Sequence, residues 1–221
     1  MIRKIATLGG FLLAAACSGN GADSDDSPGG AATDRLPYAR DLVSFAPGDF
    51  AGFGADRLPE VVLGPPGGEG QGSGSLDVLS LGVGGEIVLG FGERIIEDGP
   101  GPDFVVFENP FYPEGDPARV FAEPAAVAVS DDGDAFLEYD CDAAGDGNGH
   151  FTGCAGVTPT EPYDPFRVDP IDPELTGGDT FDLAELGLTE ARFVRLVDRA
   201  EEGTGTTAGF DLDSVGLIHF R

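Results

Sequence analysis

A chain of 221 residues suits one domain with an extension, or two small ones; 40 Asp+Glu against 12 Lys+Arg give it a formal net charge of −28. Lys4 is the single lysine, so a P-loop, a Schiff base and a cationic nucleic-acid surface all lack the residues they need. An acidic surface favours solubility and divalent cations instead.

The 36 Gly and 17 Pro punctuate the chain with turns, while 16 Phe and 41% hydrophobic residues suffice for a core. That combination points to an all-β protein. In chain order, Arg3 and Lys4 precede an apolar run from Ile5 to Ala16 and then Cys17. This is the pattern of a signal peptide, and the run is too short for a stable membrane span. Leu13-Ala14-Ala15-Ala16-Cys17 resembles the lipobox of bacterial lipoproteins, with Leu13 one place early. The resemblance implies cleavage after residue 16, lipidation of Cys17, export, and anchoring at the outer membrane or cell surface. Residues 17–34 hold the lipidated cysteine and a stretch with almost no large apolar side chain, which reads as a flexible tether. Residues 35–221 are expected to form one β-sandwich domain.

Within it, strands are predicted at Asp41–Phe45, Glu60–Leu63, Leu76–Leu81, Glu86–Phe91, Asp103–Glu108, Ala126–Ser130, Ala135–Tyr139, Arg192–Val197 and Asp213–Phe220. Glu86–Phe91 is nearly continuous in apolar residues, as expected of a strand covered on both faces. Arg192 and Arg195 fall on opposite parities, so that strand does not read as cleanly amphipathic. Phe181–Leu188 suits one helical turn. Asp131-Asp132-Gly133-Asp134 suits a hairpin turn. Two loops stand out, the acidic Asp140–His150 and the Pro-rich Thr158–Pro173.

Cys141 and Cys154, in an exporting context, are expected to form a disulfide; closing this loop stabilises by roughly 3 kcal/mol in the chain-entropy model. Zinc would need more ligands than two cysteines and His150. Hard cations take six to eight oxygen ligands. The stiff loop Asp98-Gly-Pro-Gly-Pro-Asp103, together with the equal-parity pair Asp211 and Asp213, makes Asp98, Asp103, Asp211 and Asp213 the carboxylates to test as calcium ligands. Asp140, Asp142, Asp146 and Asn148 form a second, weaker calcium pattern without the glutamate of an EF-hand. The competing reading is turn chemistry and solvated surface for the first set, and an acidic loop stapled by Cys141 and Cys154 for the second. Phe111, Tyr112, Tyr163 and Phe166 lie in Pro-rich loops, where they would stack on a sugar ring or pack back on the domain. Catalysis has little support: there is no G-x-S-x-G elbow, and His219 suits a strand residue with a local hydrogen bond.

Four segments carry a wider likeness. Leu81-Gly-Val-Gly-Gly-Glu-Ile-Val-Leu-Gly-Phe91, Val127-Ala-Val-Ser-Asp-Asp-Gly-Asp-Ala-Phe136, Ala191-Arg-Phe-Val-Arg-Leu196 and Gly209-Phe-Asp-Leu-Asp-Ser-Val-Gly-Leu-Ile218 resemble strands of the galactose-binding-like jelly roll, shared by discoidin-type domains. Phe104-Val-Val-Phe-Glu-Asn109 is similar to a motif of bacterial cell-surface proteins associated with PEP-CTERM sorting tails. These resemblances imply a two-sheet jelly roll, a fold that hosts sugar binders, lipid binders and scaffolding modules. Together with the anchor and the carboxylate loops, they make the leading expectation a non-catalytic surface protein, stabilised by calcium, that binds glycan or envelope protein through its loops. A structural protein of the envelope and an extracellular hydrolase are the alternatives.

Overall fold

A computed structural model describes residues 36–168, 170–200, 205 and 208–221. The segments expected to be a signal peptide and a tether, with Cys17, lie outside the described residues. The described chain is dominated by short antiparallel strands. Five of them, β1 (Asp41–Ala46), β3 (Glu86–Gly90), β6 (Ala125–Ser130), β7 (Leu137–Glu138) and β10 (Phe193–Asp198), form a sheet in the order β1-β3-β10-β6-β7. A second sheet orders β12 (Ser214–Leu217), β5 (Phe104–Phe107) and β8 (Asp179–Phe181). Two ribbons complete the set, β2 (Leu79–Ser80) with β11 (Asp211–Leu212), and β4 (Ile96–Glu97) with β9 (Glu190–Ala191). Among the described residues, no helix is long and apolar enough to cross a membrane.

The period-two rule explains how the two main sheets share a core. In the five-stranded sheet, Leu89, Val194 and Val129 form one cross-strand row, and Ile87, Leu196 and Val127 the next. All six are fully buried, against Phe104, Val106, Val215 and Leu217 of the second sheet. The alternate residues of β5, Val105 and Phe107, face the other way and form a smaller cluster with Leu36, Tyr38 and Ile171. The arrangement is sandwich-like, and the run Phe-Val-Val-Phe is apolar throughout because both of its faces are covered. On that outer face Gly216 leaves room for Ile171, whose Cδ1 would lie 2.5 Å from an added Cβ.

Several predicted strands survive with trimmed ends. Leu76–Leu81 shortens to β2, Ala135–Tyr139 to β7, and Asp213–Phe220 divides so that its strand ends at Leu217. Glu60–Leu63 is not a strand; Glu60–Val62 forms a 3-10 turn. The reason is packing: Val61 and Val62 both join the same core cluster, whereas a strand would send neighbouring side chains to opposite faces. The expected irregularity at Arg192 also resolves. Arg192 sits at a bend before β10, which then alternates without fault, with Val194, Leu196 and Asp198 buried. The helical turn appears at Leu183–Leu186, capped by Asp182. β4, β8 and β9, of two or three residues each, were absent from the predicted set because so short a segment shows no periodicity.

Candidate functional site

The structure separates the four aspartates proposed as one calcium set. Among the described residues, two groups of three carboxylates converge with their oxygens within 4.8 Å of one another: Asp98, Asp103 and Asp182, and Glu108, Glu123 and Asp211. Asp213 belongs to neither, nor do the loop residues Asp140, Asp142 and Asp146.

In the first group Asp103 ties separate segments together through both of its oxygens. Its Oδ1 accepts from the Gly99 amide at 2.8 Å and faces His219 Nδ1 at 3.0 Å, and its Oδ2 accepts from the Leu183 amide at 2.7 Å. His219 lies at a bend beyond β12 rather than in a strand. Asp98 is exposed. The loop aspartates also serve their own backbone: Asp142 accepts from Ala144, and Asp146 accepts from the amides of Asn148 and His150. Asp132 does the same for the amides of Asp134 and Ala135 in the turn that joins β6 to β7. These are turn-forming hydrogen bonds.

Asp213 is buried, and both of its oxygens accept from the Gly67 amide at 3.0 Å. Burial pushes its carboxyl up to about 8, only partly opposed by the Gly67 N–H. A carboxyl raised in the folded state adds stability that is complete below the unfolded value near 4 and lost as pH rises through about 8. We therefore expect Asp213→Asn to be more stable than the parent at about pH 8.5 by on the order of a few kcal/mol, and to differ little at about pH 4. Urea unfolding at both pH values reads this; an equal effect of the substitution at both would contradict it.

The second group is built where three elements meet. Glu108 directly follows β5, Glu123 precedes β6, and Asp211 opens β11 opposite Ser80 of β2. Glu108 and Asp211 are buried at 2% and 7% exposure, and Glu123 is half-buried. Glu108 Oε1 accepts from the Asp211 amide at 3.1 Å, and Glu123 Oε1 accepts from the Gly209 amide at 3.0 Å. The Ser80 hydroxyl donates to Asp211 Oδ1, while the Asn109 side-chain amide donates to the Ser75 carbonyl at 2.9 Å. Glu108 Oε2 is buried and has no hydrogen-bond partner among the described residues. Desolvation, then the negative charge of Asp211, hold the Glu108 carboxyl well above its ordinary range. Desolvation also pushes Glu123 up to about 8 and Asp211 up to about 6. The charges acting on Glu108 besides Asp211 are Glu123 and Asp179, again both negative.

Beside this group lies a cleft of about 600 Å³ lined by Phe121, Glu123, Pro124, Ala143, Phe151 and Arg199, among others. Cys141 and Cys154 are joined as a disulfide, and the loop between them supplies Ala143 and Phe151 to the cleft wall. Phe121 is 53% exposed and stacks on Phe111 with ring centroids 5.0 Å apart. Arg199 Nη2 donates to Glu138 Oε1 at 3.0 Å. Of the aromatics picked from sequence, Phe111 thus supports the cleft from behind. Tyr163 packs on Phe107, and its hydroxyl meets that of Tyr38. Tyr112 is half-buried, and Phe166 is 61% exposed away from the cleft lining.

Glu123, Phe121, Phe151 and Arg199 escaped sequence reading. They come from three separated segments, and each is unremarkable in its own neighbourhood. Glu108 carried one usable signal, a carboxylate ending an otherwise wholly apolar strand. No family model matches the chain, and comparison with curated proteins finds no match.

Proposed function

We propose that this chain is an exported, lipid-anchored, non-catalytic module of the bacterial cell surface that binds saccharide in the cleft beside Glu123. The observation that carries the reading is the pairing, in one cleft, of an exposed aromatic face, Phe121, with a carboxylate, Glu123, and a guanidinium, Arg199. Sugar sites combine an apolar ring face with a few polar groups that fix hydroxyl orientation. The lipobox-like segment ending in Cys17 supports the anchor, and the four segments similar to the galactose-binding-like jelly roll support the module type. Those segments speak for a fold that carries many functions, so the cleft chemistry bears the functional argument.

The test is binding of the purified full chain to a saccharide array, repeated with Phe121→Ala. Phe121 is exposed, so its truncation should leave folding intact. Saccharide signal in the parent and at least a tenfold loss in Phe121→Ala is the expected result. Absence of any saccharide signal, with envelope proteins retained in a pull-down, would replace the reading with that of an assembly protein. Cys17→Ala should shift the chain out of the detergent phase; unchanged partitioning would remove the lipid anchor.

A further inference from the structure

We infer that Glu108, Glu123 and Asp211 form a calcium site. Three carboxylates lie together with their oxygens within 4.8 Å, two of them buried. Two oxygens on opposite sides of a calcium ion, each at about 2.4 Å, are about 4.8 Å apart, so the group has the span of one coordination sphere.

A cluster of acids alone would not carry this; the Glu108 carboxylate does. Its Oε2 is removed from water and accepts from no donor among the described residues. Burying a carboxylate oxygen without a partner is costly, and the charges closest in effect to Glu108 are all negative. A cation at the centre of the group gives that oxygen a partner and turns the mutual repulsion of three acids into attraction to one ion.

The donor set selects the ion. All the ligating atoms are oxygens, which suits a hard cation rather than zinc or copper. Magnesium sheds its waters reluctantly and demands a tight octahedron, whereas calcium accepts irregular oxygen sets that include protein groups. The backbone is already committed to holding the ligands: the Asp211 amide positions Glu108, and the Gly209 amide positions Glu123. Ser80 orients Asp211. Such supporting bonds fix ligands without blocking them, since each carboxylate oxygen keeps a second lone pair. Asp211 was among the aspartates proposed from sequence; its partners are the two glutamates rather than Asp98, Asp103 and Asp213.

The experiment uses the full chain, stripped of metal with EDTA and titrated with calcium chloride, and follows heat of binding and Tm. Sodium chloride at matched ionic strength controls for screening of an acidic chain. Calcium should raise Tm by about 5–10 °C at a hundredfold excess over Kd, with sodium chloride reproducing little of it and magnesium less than calcium. Glu108→Gln removes one ligand charge while keeping the side-chain volume, and should weaken calcium binding at least tenfold. Glu123→Gln, at the half-exposed edge of the group, should do the same and provides the test if Glu108→Gln does not fold. The inference is overturned if the parent binds no calcium, if sodium chloride reproduces the whole shift, or if both folded variants bind calcium as tightly as the parent. None of these readouts involves saccharide, so the site stands or falls independently of the ligand in the cleft.

Discussion

Asp103→Ala is expected to destabilise the protein by about 3–5 kcal/mol, the range for removing one partner from a buried polar network. Asp103 is completely buried, and its two oxygens accept from the amides of Gly99 and Leu183 and pair with His219. Its carbonyl oxygen also accepts from the amides of Ile218 and His219. One residue thus ties the Gly/Pro loop before β5 to the 3-10 turn at Leu183 and to the segment after β12. Alanine leaves the buried Leu183 amide, the part-buried Gly99 amide and an imidazole without their acceptor. Asp103→Asn keeps one carbonyl oxygen in place and should lose less. The decisive comparison is denaturant unfolding in calcium and in EDTA. A structural tie predicts the same loss in both conditions. A loss present only in calcium would restore Asp103 as a metal ligand.

Phe104→Ala should cost about 3–5 kcal/mol, the usual range for truncating a buried phenylalanine. Phe104 is fully buried at the start of β5. Its ring stacks on Phe181 of the neighbouring strand at 5.3 Å and meets Tyr139 edge-on at 6.2 Å. Tyr139 follows β7 of the five-stranded sheet, so this ring spans the space between the two main sheets. The surrounding strands are held by their ladders and collapse only partly, so a cavity adds to the lost transfer energy. Phe166→Ala is the matched control, because Phe166 is 61% exposed and a surface truncation changes stability by about 0.5 kcal/mol or less. Equal effects at the two positions, measured by thermal or urea unfolding, would contradict this assignment of the core.

The contrast between these two residues also marks how far sequence alone reaches. Strong periodic or continuous apolar segments were legible: Glu86–Gly90, Phe104–Phe107 and Ala125–Ser130 lie where composition places them. Their signal is local, because a strand with buried faces must be apolar at its own positions. The turn at Asp131–Asp134 and the pairing of Cys141 with Cys154 were legible for the same reason. They rest on short-range backbone chemistry and on a loop closed by neighbours in sequence.

Convergence of side chains from distant segments was not legible. The acidic chain offers 40 carboxylates, and nothing in local pattern says which of them meet. Equal parity made Asp211 and Asp213 look like partners, yet Asp213 turns to the Gly67 amide while Asp211 joins Glu108 and Glu123. That choice depends on strand register, since Asp211 stands opposite Ser80 and Ser214 opposite Phe107, the residue just before Glu108. Glu123 is placed by its position two residues before the start of β6 and by the Gly209 amide, 86 residues away. Composition and local pattern therefore determined the class of the fold, its main strands and its acidic character. Only the tertiary structure decided which acids share a site and which merely hold turns, because that depends on hydrogen-bonded register and on which oxygens are left without a donor once the backbone is satisfied.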